Sequence, residues 1–290
     1  MNAFPDKPNV APDSPATQAE VSPVRPAGGL FDAGLTPAPT EPAILTLPGD
    51  PAWTIWDVLR ILLMGIVAFF LIAAILVVSM PGASPRDRVT ALSAHLELQI
   101  LGQMATYLLM LGYMYVLVTR ERRQPSFWRA LHWNWPERAW IYLLLGLLLQ
   151  AVFIVIESFL PFPKEVPFDV LLKKPFSIAL VVVFAVSLGP LIEELFFRGF
   201  LYPVLRLKAG VGAAVVATAF PFALLHAAQY GYSWASVSLI FGVGVLLAVV
   251  RENYDSLAAS FLVHIGYNGT IMLILFGATG GFRHLEKLNQ

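Results

Sequence analysis

The sequence predicts an all-α fold, a polytopic membrane bundle of about seven transmembrane helices preceded by a disordered N-terminal tail. Hydrophobic residues make up 57% and charged residues 13% of the 290 positions, and the mean hydropathy is +0.69. Soluble proteins average about 25% charged residues, so a soluble domain is disfavoured. Uncharged runs of about 20 residues, the helix length that crosses a ~30 Å hydrocarbon core, recur along the chain. The ~10-residue alternation that marks barrel strands does not occur, which leaves a helical bundle.

Seven apolar segments are long enough to be predicted as membrane spans. The fourth is interrupted by the charged motif Glu193-Glu194-Leu195-Phe196-Phe197-Arg198. The first three predicted helices fall within residues 54–160, the other four within 175–277, and a C-terminal tail covers 278–290. The predicted spans are Ile61–Met80, Leu98–Val118, Ala139–Ile156, Pro175–Leu205, Ala209–Ala227, Trp234–Val250 and Leu257–Phe276.

Residues 1–53 differ in composition from the rest of the chain. The segment Met1–Pro51 holds eleven of the 22 prolines, six acidic residues and two basic residues. Such a composition buries too little apolar surface to fold and is typical of a disordered, partly polyproline-like tail. Its two interpretations are a solvated leader without a specific role and a docking tail for a partner.

Two global properties exclude several classes of function. The chain has no cysteine, which excludes disulfides, a thiol nucleophile and thiolate metal ligands. Its net charge is zero, so a nucleic-acid partner has no electrostatic support. Membrane lipid is the predicted surrounding.

The loop Thr119–Arg138 sets the predicted orientation. It carries five arginines, and positively charged loops stay on the cytoplasmic side. Summed over all predicted loops, the inner side carries eight Lys and Arg and the outer side seven, so this loop decides the prediction. We therefore expect a multi-pass membrane protein with its N-terminus in the cytoplasm. The Ala/Pro-rich tail favours a bacterial cell membrane.

The charged motif places two carboxylates and a guanidinium at membrane depth, where charges are expensive and usually functional. On a helix, Glu194 and Arg198 share a face, whereas Glu193 lies about 100° away. We expect Glu194 to pair with Arg198 and remain ionised. Glu193 is then free to act as a general base. The alternative is that all three side chains form one buried structural network.

Two further polar elements lie in apolar runs downstream. His226 follows Phe222 by four residues, so the two rings share a helix face. His264 and Asn268 are spaced in the same way, and both could donate hydrogen bonds in one direction to a developing oxyanion. For either histidine taken alone, a polar contact between helices is the favoured interpretation.

Helical rise predicts that these elements meet. Measured from the predicted cytoplasmic ends of their helices at about 1.5 Å per residue, Glu193 and His264 lie at ~18 Å and His226 at ~23 Å. The three side chains thus fall within about 5 Å in depth on the cytoplasmic half. A shared site inside the bilayer explains this agreement.

Three motifs, taken in order along the predicted core helices, resemble the CAAX-protease and bacteriocin-processing (CPBP, or Abi) family of intramembrane endopeptidases, which includes Rce1. The motifs are Glu193-Glu194-x-x-x-Arg198, Phe222-x-x-x-His226 and His264-x-x-x-Asn268. The resemblance covers about residues 176–276. It implies that Glu193 and His226 activate the attacking water and that His264 and Asn268 stabilise the oxyanion. It also implies that Glu194 and Arg198 support the site.

The predicted function is therefore hydrolysis of a peptide bond in a protein or peptide substrate, prenylated or not. A non-catalytic scaffold or bacteriocin-immunity-type binding protein on the same fold is the alternative. A proton-coupled transporter ranks third, because no inverted repeat of broken helices occurs. Glu193, His226 and His264 also form a His₂Glu set, which suits catalytic zinc with one open position. Both a zinc site and a metal-free site stay open at this stage.

Overall fold

The computed structural model describes residues 51–161 and 175–282, and within these ranges every regular element is a helix, as predicted. The predicted tail up to residue 50, the loop 162–174 and the chain end 283–290 lie outside the described residues. The helices are α1 (Ile55–Ser79), α2 (Pro85–Ser93), α3 (Leu96–Val116), α4 (Phe127–Ala130), α5 (Ala139–Glu157), α6 (Pro175–Val183), α7 (Gly189–Glu194), α8 (Tyr202–His226), α9 (Trp234–Tyr254) and α10 (Leu257–Ala278).

Six helical stretches in the described ranges are long and apolar enough to cross a membrane. One of them, Phe176–His226, has 51 residues. At about 1.5 Å per residue it would measure ~76 Å, more than twice the thickness of a hydrocarbon core. Gly210 interrupts it, because its φ of 78° and ψ of 171° are not helical. The break separates the predicted fourth and fifth spans and accounts for about seven transmembrane segments.

The first part of that stretch alternates between α-helical and π-helical turns. A π-helical segment, Phe184–Leu188, precedes α7, and a second one, Leu195–Leu201, follows it. The amide of Gly189 donates to the carbonyl of Phe184, five residues back. Pro190 has no amide hydrogen, so it cannot continue this pattern to Ala185. Asn268 supplies the missing donor, since its Nδ2 lies 2.8 Å from the Ala185 carbonyl oxygen.

Helices α5 and α10 pack against each other through glycines. A β-carbon at Gly146 would lie 2.2 Å from the carbonyl oxygen of Val263, and one at Gly266 would lie 2.5 Å from that of Leu143. The two backbones are therefore in direct contact, as small residues permit between membrane helices. This contact fixes α10, which carries His264 and Asn268, against α5.

The segments predicted to share one side of the membrane meet at one end of the bundle. Trp53, just before α1, donates from Nε1 to the carbonyl of Phe200 at 3.0 Å. In the loop before α5, His132 Nδ1 lies 2.9 Å from the carboxylate of Asp255, which follows α9. The N-terminal start of α1 and the arginine-rich loop thus lie at the same end. That this end faces the cytoplasm of a bacterial cell stays a prediction.

We expect Gly146→Ala to destabilise the protein, because the new methyl group would meet backbone atoms of α10 that cannot rotate away. Overpacking of this kind costs about 1–3 kcal/mol. Thermal unfolding in detergent measures the loss. Gly112→Ala in α3 is the matched control, since its β-carbon would meet no atom within 4 Å. Equal stability of the two variants would contradict the backbone contact.

Candidate active site

The structure brings together the three side chains that helical rise placed at a common depth. Glu193 Oε2 lies 3.9 Å from His226 Nε2 and 3.7 Å from His264 Nε2. These residues come from α7, α8 and α10, so three separate helices contribute to one point. The Glu193 side chain keeps 17% exposure, whereas Glu194 keeps none. The two adjacent glutamates therefore occupy different environments, as their helical offset predicts.

A cavity of about 460 Å³ opens beside this point. Glu193, both histidines and Asn268 line it, whereas Glu194 and Arg198 do not. Its other walls are mainly apolar. They include Ile100 of α3, Val181 and Phe184 from the stretch before α7, and Ile240 and Val243 of α9. The polar groups therefore meet at the wall of an otherwise largely apolar cavity, as in many ligand-binding sites.

Two amide side chains that α3 contributes to the cavity wall were not predicted from the sequence. Gln99 and Gln103 project from α3, which lies outside the motif-bearing segment. They are four residues apart and so share a helix face, which is the signal that could have singled them out. Without the packing of α3 against α6 and α7, however, nothing in the sequence places that face at the site.

Glu194 is the centre of a buried polar network. Arg198 Nη1 donates to Glu194 Oε1 at 3.0 Å, and both side chains have no exposed surface. This is the expected pair. Two further partners were not expected: His264 Nδ1 lies 2.9 Å from Oε1, and the Ser260 hydroxyl donates to Oε2 at 2.5 Å. Ser260 precedes His264 by four residues on α10, so one helix face presents both groups to Glu194.

The Arg198 guanidinium is held from three sides. Besides Glu194, its Nη2 donates to the carbonyl oxygen of Gly244 at 2.9 Å. Its carbon atom lies 4.5 Å from the centroid of the Phe222 ring, a cation–π distance. Arg198 thereby ties the motif helix to α8 and α9.

Phe222 has more contacts than the predicted one with His226. Its ring centroid lies 4.8 Å from the His226 ring and 5.8 Å from the His264 ring. The same ring also contacts the Arg198 guanidinium and lines the cavity, so it adjoins both the buried ion pair and the open space. The side chain is 2% exposed, and it keeps the polar groups in fixed positions by packing.

Hydrogen bonding assigns the tautomers of both histidines. His226 Nδ1 lies 2.8 Å from the Phe222 carbonyl, which only accepts, so Nδ1 carries the proton. His264 Nδ1 faces the Glu194 carboxylate and carries the proton for the same reason. In their neutral forms both rings then have a lone pair on Nε2, close to Glu193 Oε2. Three acceptor atoms thus face one another, and the Tyr107 hydroxyl is a hydrogen-bond partner of Glu193 at this point.

His264 and Asn268 do not donate in the same direction, contrary to the expectation from their spacing. His264 uses its Nδ1 hydrogen for Glu194, and Asn268 uses one Nδ2 hydrogen for Ala185. Asn268 keeps a second amide hydrogen, because a carboxamide nitrogen carries two. Its side chain lines the cavity, so the amide group is at the site although its role there is untested.

The predicted zinc ligands Glu193, His226 and His264 are of the right chemical type for zinc. Among the described residues, however, no group of three or more His, Cys, Asp or Glu side chains is arranged to hold a metal ion. The zinc alternative stays a prediction that metal analysis of purified protein and of His226→Ala would test.

Fold and site together define a class: a helical integral membrane protein with a polar, histidine-bearing site inside its bundle. Residues 175–270 match the family model described as "Type II CAAX prenyl endopeptidase Rce1-like". The match runs from α6 into α10 and includes every motif residue, so the predicted resemblance is confirmed over this segment. Comparisons with curated proteins and with solved structures give no match.

The two adjacent glutamates should differ in their effect on folding. Glu194→Ala would leave Arg198 as an unpaired charge without solvent, and breaking a buried pair typically costs about 3–5 kcal/mol. Glu193→Ala removes a carboxylate that hydrogen-bonds to the Tyr107 side chain and lies 3.7 Å and 3.9 Å from two histidines, so folding should change less than in Glu194→Ala. Yield and thermal stability in detergent compare the variants. If Glu193→Ala is the less stable protein, the assignment of the two carboxylates is reversed.

Proposed function

We propose that this protein is an intramembrane endopeptidase of the CAAX-protease type, which hydrolyses a peptide bond with a water molecule activated by Glu193 and His226. One observation carries the proposal. Glu193 Oε2 and the Nε2 atoms of His226 and His264 face one another at 3.7–3.9 Å in the wall of a cavity. These separations are too long for direct hydrogen bonds, and a bridging water satisfies such an arrangement.

A water molecule at this point has the partners that activation requires. It can donate its two hydrogens to two of the three converging acceptors, which leaves an oxygen lone pair free for the substrate. As that oxygen attacks the carbonyl carbon of the scissile bond, one proton passes to Glu193 or His226. The same proton then goes to the leaving nitrogen when the C–N bond breaks. The products are a carboxylic acid and an amine, so the step balances with water alone.

The tetrahedral intermediate requires a donor for its oxyanion. The second amide hydrogen of Asn268 is available for this, because the first is used at Ala185. His264 gives its Nδ1 hydrogen to Glu194, which fixes the ring beside Glu193. We therefore propose that Asn268 donates to the oxyanion, with His264 beside it as the second group of the expected pair.

The cavity and the family match support a proposal for the substrate class. A volume of about 460 Å³ accommodates a few residues of an extended peptide, and Gln99 and Gln103 offer amide groups to its backbone. The matched family model is described as a prenyl endopeptidase, and the apolar walls suit a substrate held in the membrane. We propose a membrane-associated protein or peptide as substrate, with a prenyl group as one form of its anchor.

Glu193→Gln keeps the size of the side chain and removes the base. We expect turnover to fall by about 10²–10⁴, the usual contribution of general acid–base catalysis. Comparative peptidomics of membranes carrying the wild-type or the variant protein measures the change and identifies the substrate. Glu121→Gln is the matched control, because Glu121 pairs with Arg60 at the surface, away from the cavity. Unchanged cleavage by folded Glu193→Gln protein would refute the proposal.

The alternative is a scaffold or immunity-type protein that binds a peptide in the same cavity without cleaving it. The apolar walls support this interpretation as well, since they do not depend on chemistry. Complementation of a deletion strain separates the two functions. We expect Glu193→Gln and His226→Ala to fail although both proteins reach the membrane in normal amounts. Full complementation by both variants would favour the scaffold.

A further inference from the structure

A second cavity, of about 380 Å³, lies at the end of the bundle where Trp53 and His132 are found. Arg206, one of its lining residues, follows Glu193 by 13 positions along nearly continuous helix. At about 1.5 Å per residue, the two residues are ~20 Å apart along the helix axis. The cavity shares no lining residue with the one at Glu193. It is therefore a separate site, and its walls carry Arg206, Arg251, Glu252 and Asp255.

The two carboxylates of this cavity already have their partners. Glu252 accepts hydrogen bonds from the Tyr202 hydroxyl at 2.9 Å and from Arg206 Nε at 3.0 Å. Asp255 accepts from Arg251 Nη1 at 2.9 Å and lies 2.9 Å from His132 Nδ1. Burial alone would raise the pKa of Asp255, but the hydrogen bonds from Arg251 and His132 outweigh it and hold the pKa below its ordinary value.

The two arginines, by contrast, keep donors without acceptors. Arg206 uses only Nε within the described residues, which leaves both Nη groups of a half-exposed side chain available. Arg251 is only 6% exposed, yet its buried Nε has no hydrogen-bond partner in the part of the chain that the structure describes. That Nε atom has almost no accessible surface, so the donors that the cavity offers to an incoming acceptor are the Nη groups of Arg206.

We infer that this cavity binds a phosphate group. A phosphate carries three or more acceptor oxygens, and the planar fork of an arginine matches its geometry. Because the carboxylates are satisfied within the protein, a bound anion would contact the free guanidinium donors instead. Two sources have this chemistry: the headgroup of a membrane phospholipid and free inorganic phosphate. Trp53 and the exposed Leu207 on the cavity wall are consistent with an entrance at the membrane surface.

The phosphate site predicts opposite effects for two substitutions that break the same ion pair. Arg206→Gln removes free donors and should weaken phosphate binding about tenfold or more. Glu252→Gln removes the competing carboxylate, frees the Arg206 fork and should strengthen binding. Both variants lose the Arg206–Glu252 contact, so a general loss of stability would affect them alike. Arg120→Gln, at an exposed arginine of the neighbouring loop, is the control and should bind like the wild type.

The experiment measures thermal stability of the full-length protein in phosphate-free detergent, since a ligand that binds the folded state raises the melting temperature. One arm adds sodium phosphate against sodium chloride at equal ionic strength, and the other adds phosphatidylglycerol. A rise with phosphate assigns the site to a soluble anion, and a rise with lipid alone assigns it to a headgroup. Equal rises in wild type, Arg206→Gln and Glu252→Gln, or no rise in either arm, would overturn the inference. Glu193→Gln should bind like the wild type, so this outcome is independent of catalysis.

Discussion

The buried ion pair between Glu194 and Arg198 is the constraint on which the site depends. Neither side chain has exposed surface, so each charge is tolerated only because the other is 3.0 Å away. The pair also holds groups from three other helices: Phe222 of α8 beneath the guanidinium, the Gly244 carbonyl of α9, and Ser260 and His264 of α10 at the carboxylate. A fixed charge in low dielectric thus sets the relative positions of α7 to α10.

This arrangement gives two adjacent glutamates different surroundings. Glu194 points into the network and is saturated by Arg198, His264 and Ser260. Glu193, one position earlier, lines the cavity and faces the Nε2 atoms of two histidines. Because Nδ1 of His264 bonds to Glu194, Nε2 is the ring nitrogen that faces Glu193. One imidazole ring therefore lies between the two carboxylates.

The irregular backbone of the motif helix fits the same principle. Pro190 cannot supply the amide that the preceding π-helical turn requires, and Asn268 of α10 supplies a side-chain amide instead. A backbone carbonyl left without a partner at membrane depth would be costly. The π-helical segment before α7, Phe184–Leu188, is therefore compensated by a side chain of α10. The segment after α7, Leu195–Leu201, contains Arg198 of the charged motif.

Much of this protein followed from the sequence by itself, because apolar runs, charged interruptions and i, i+4 spacing are local properties. They predicted the helical membrane fold, the different surroundings of Glu193 and Glu194, the pairing with Arg198 and the meeting of Glu193 with both histidines. Other features depended on contacts between segments distant in the chain. Only the tertiary structure placed Ser260 and His264 on Glu194, turned Asn268 toward Ala185, and brought Gln99 and Gln103 of α3 into the cavity wall. Helical spacing tells which residues share a face, but the packing of whole helices decides what that face meets.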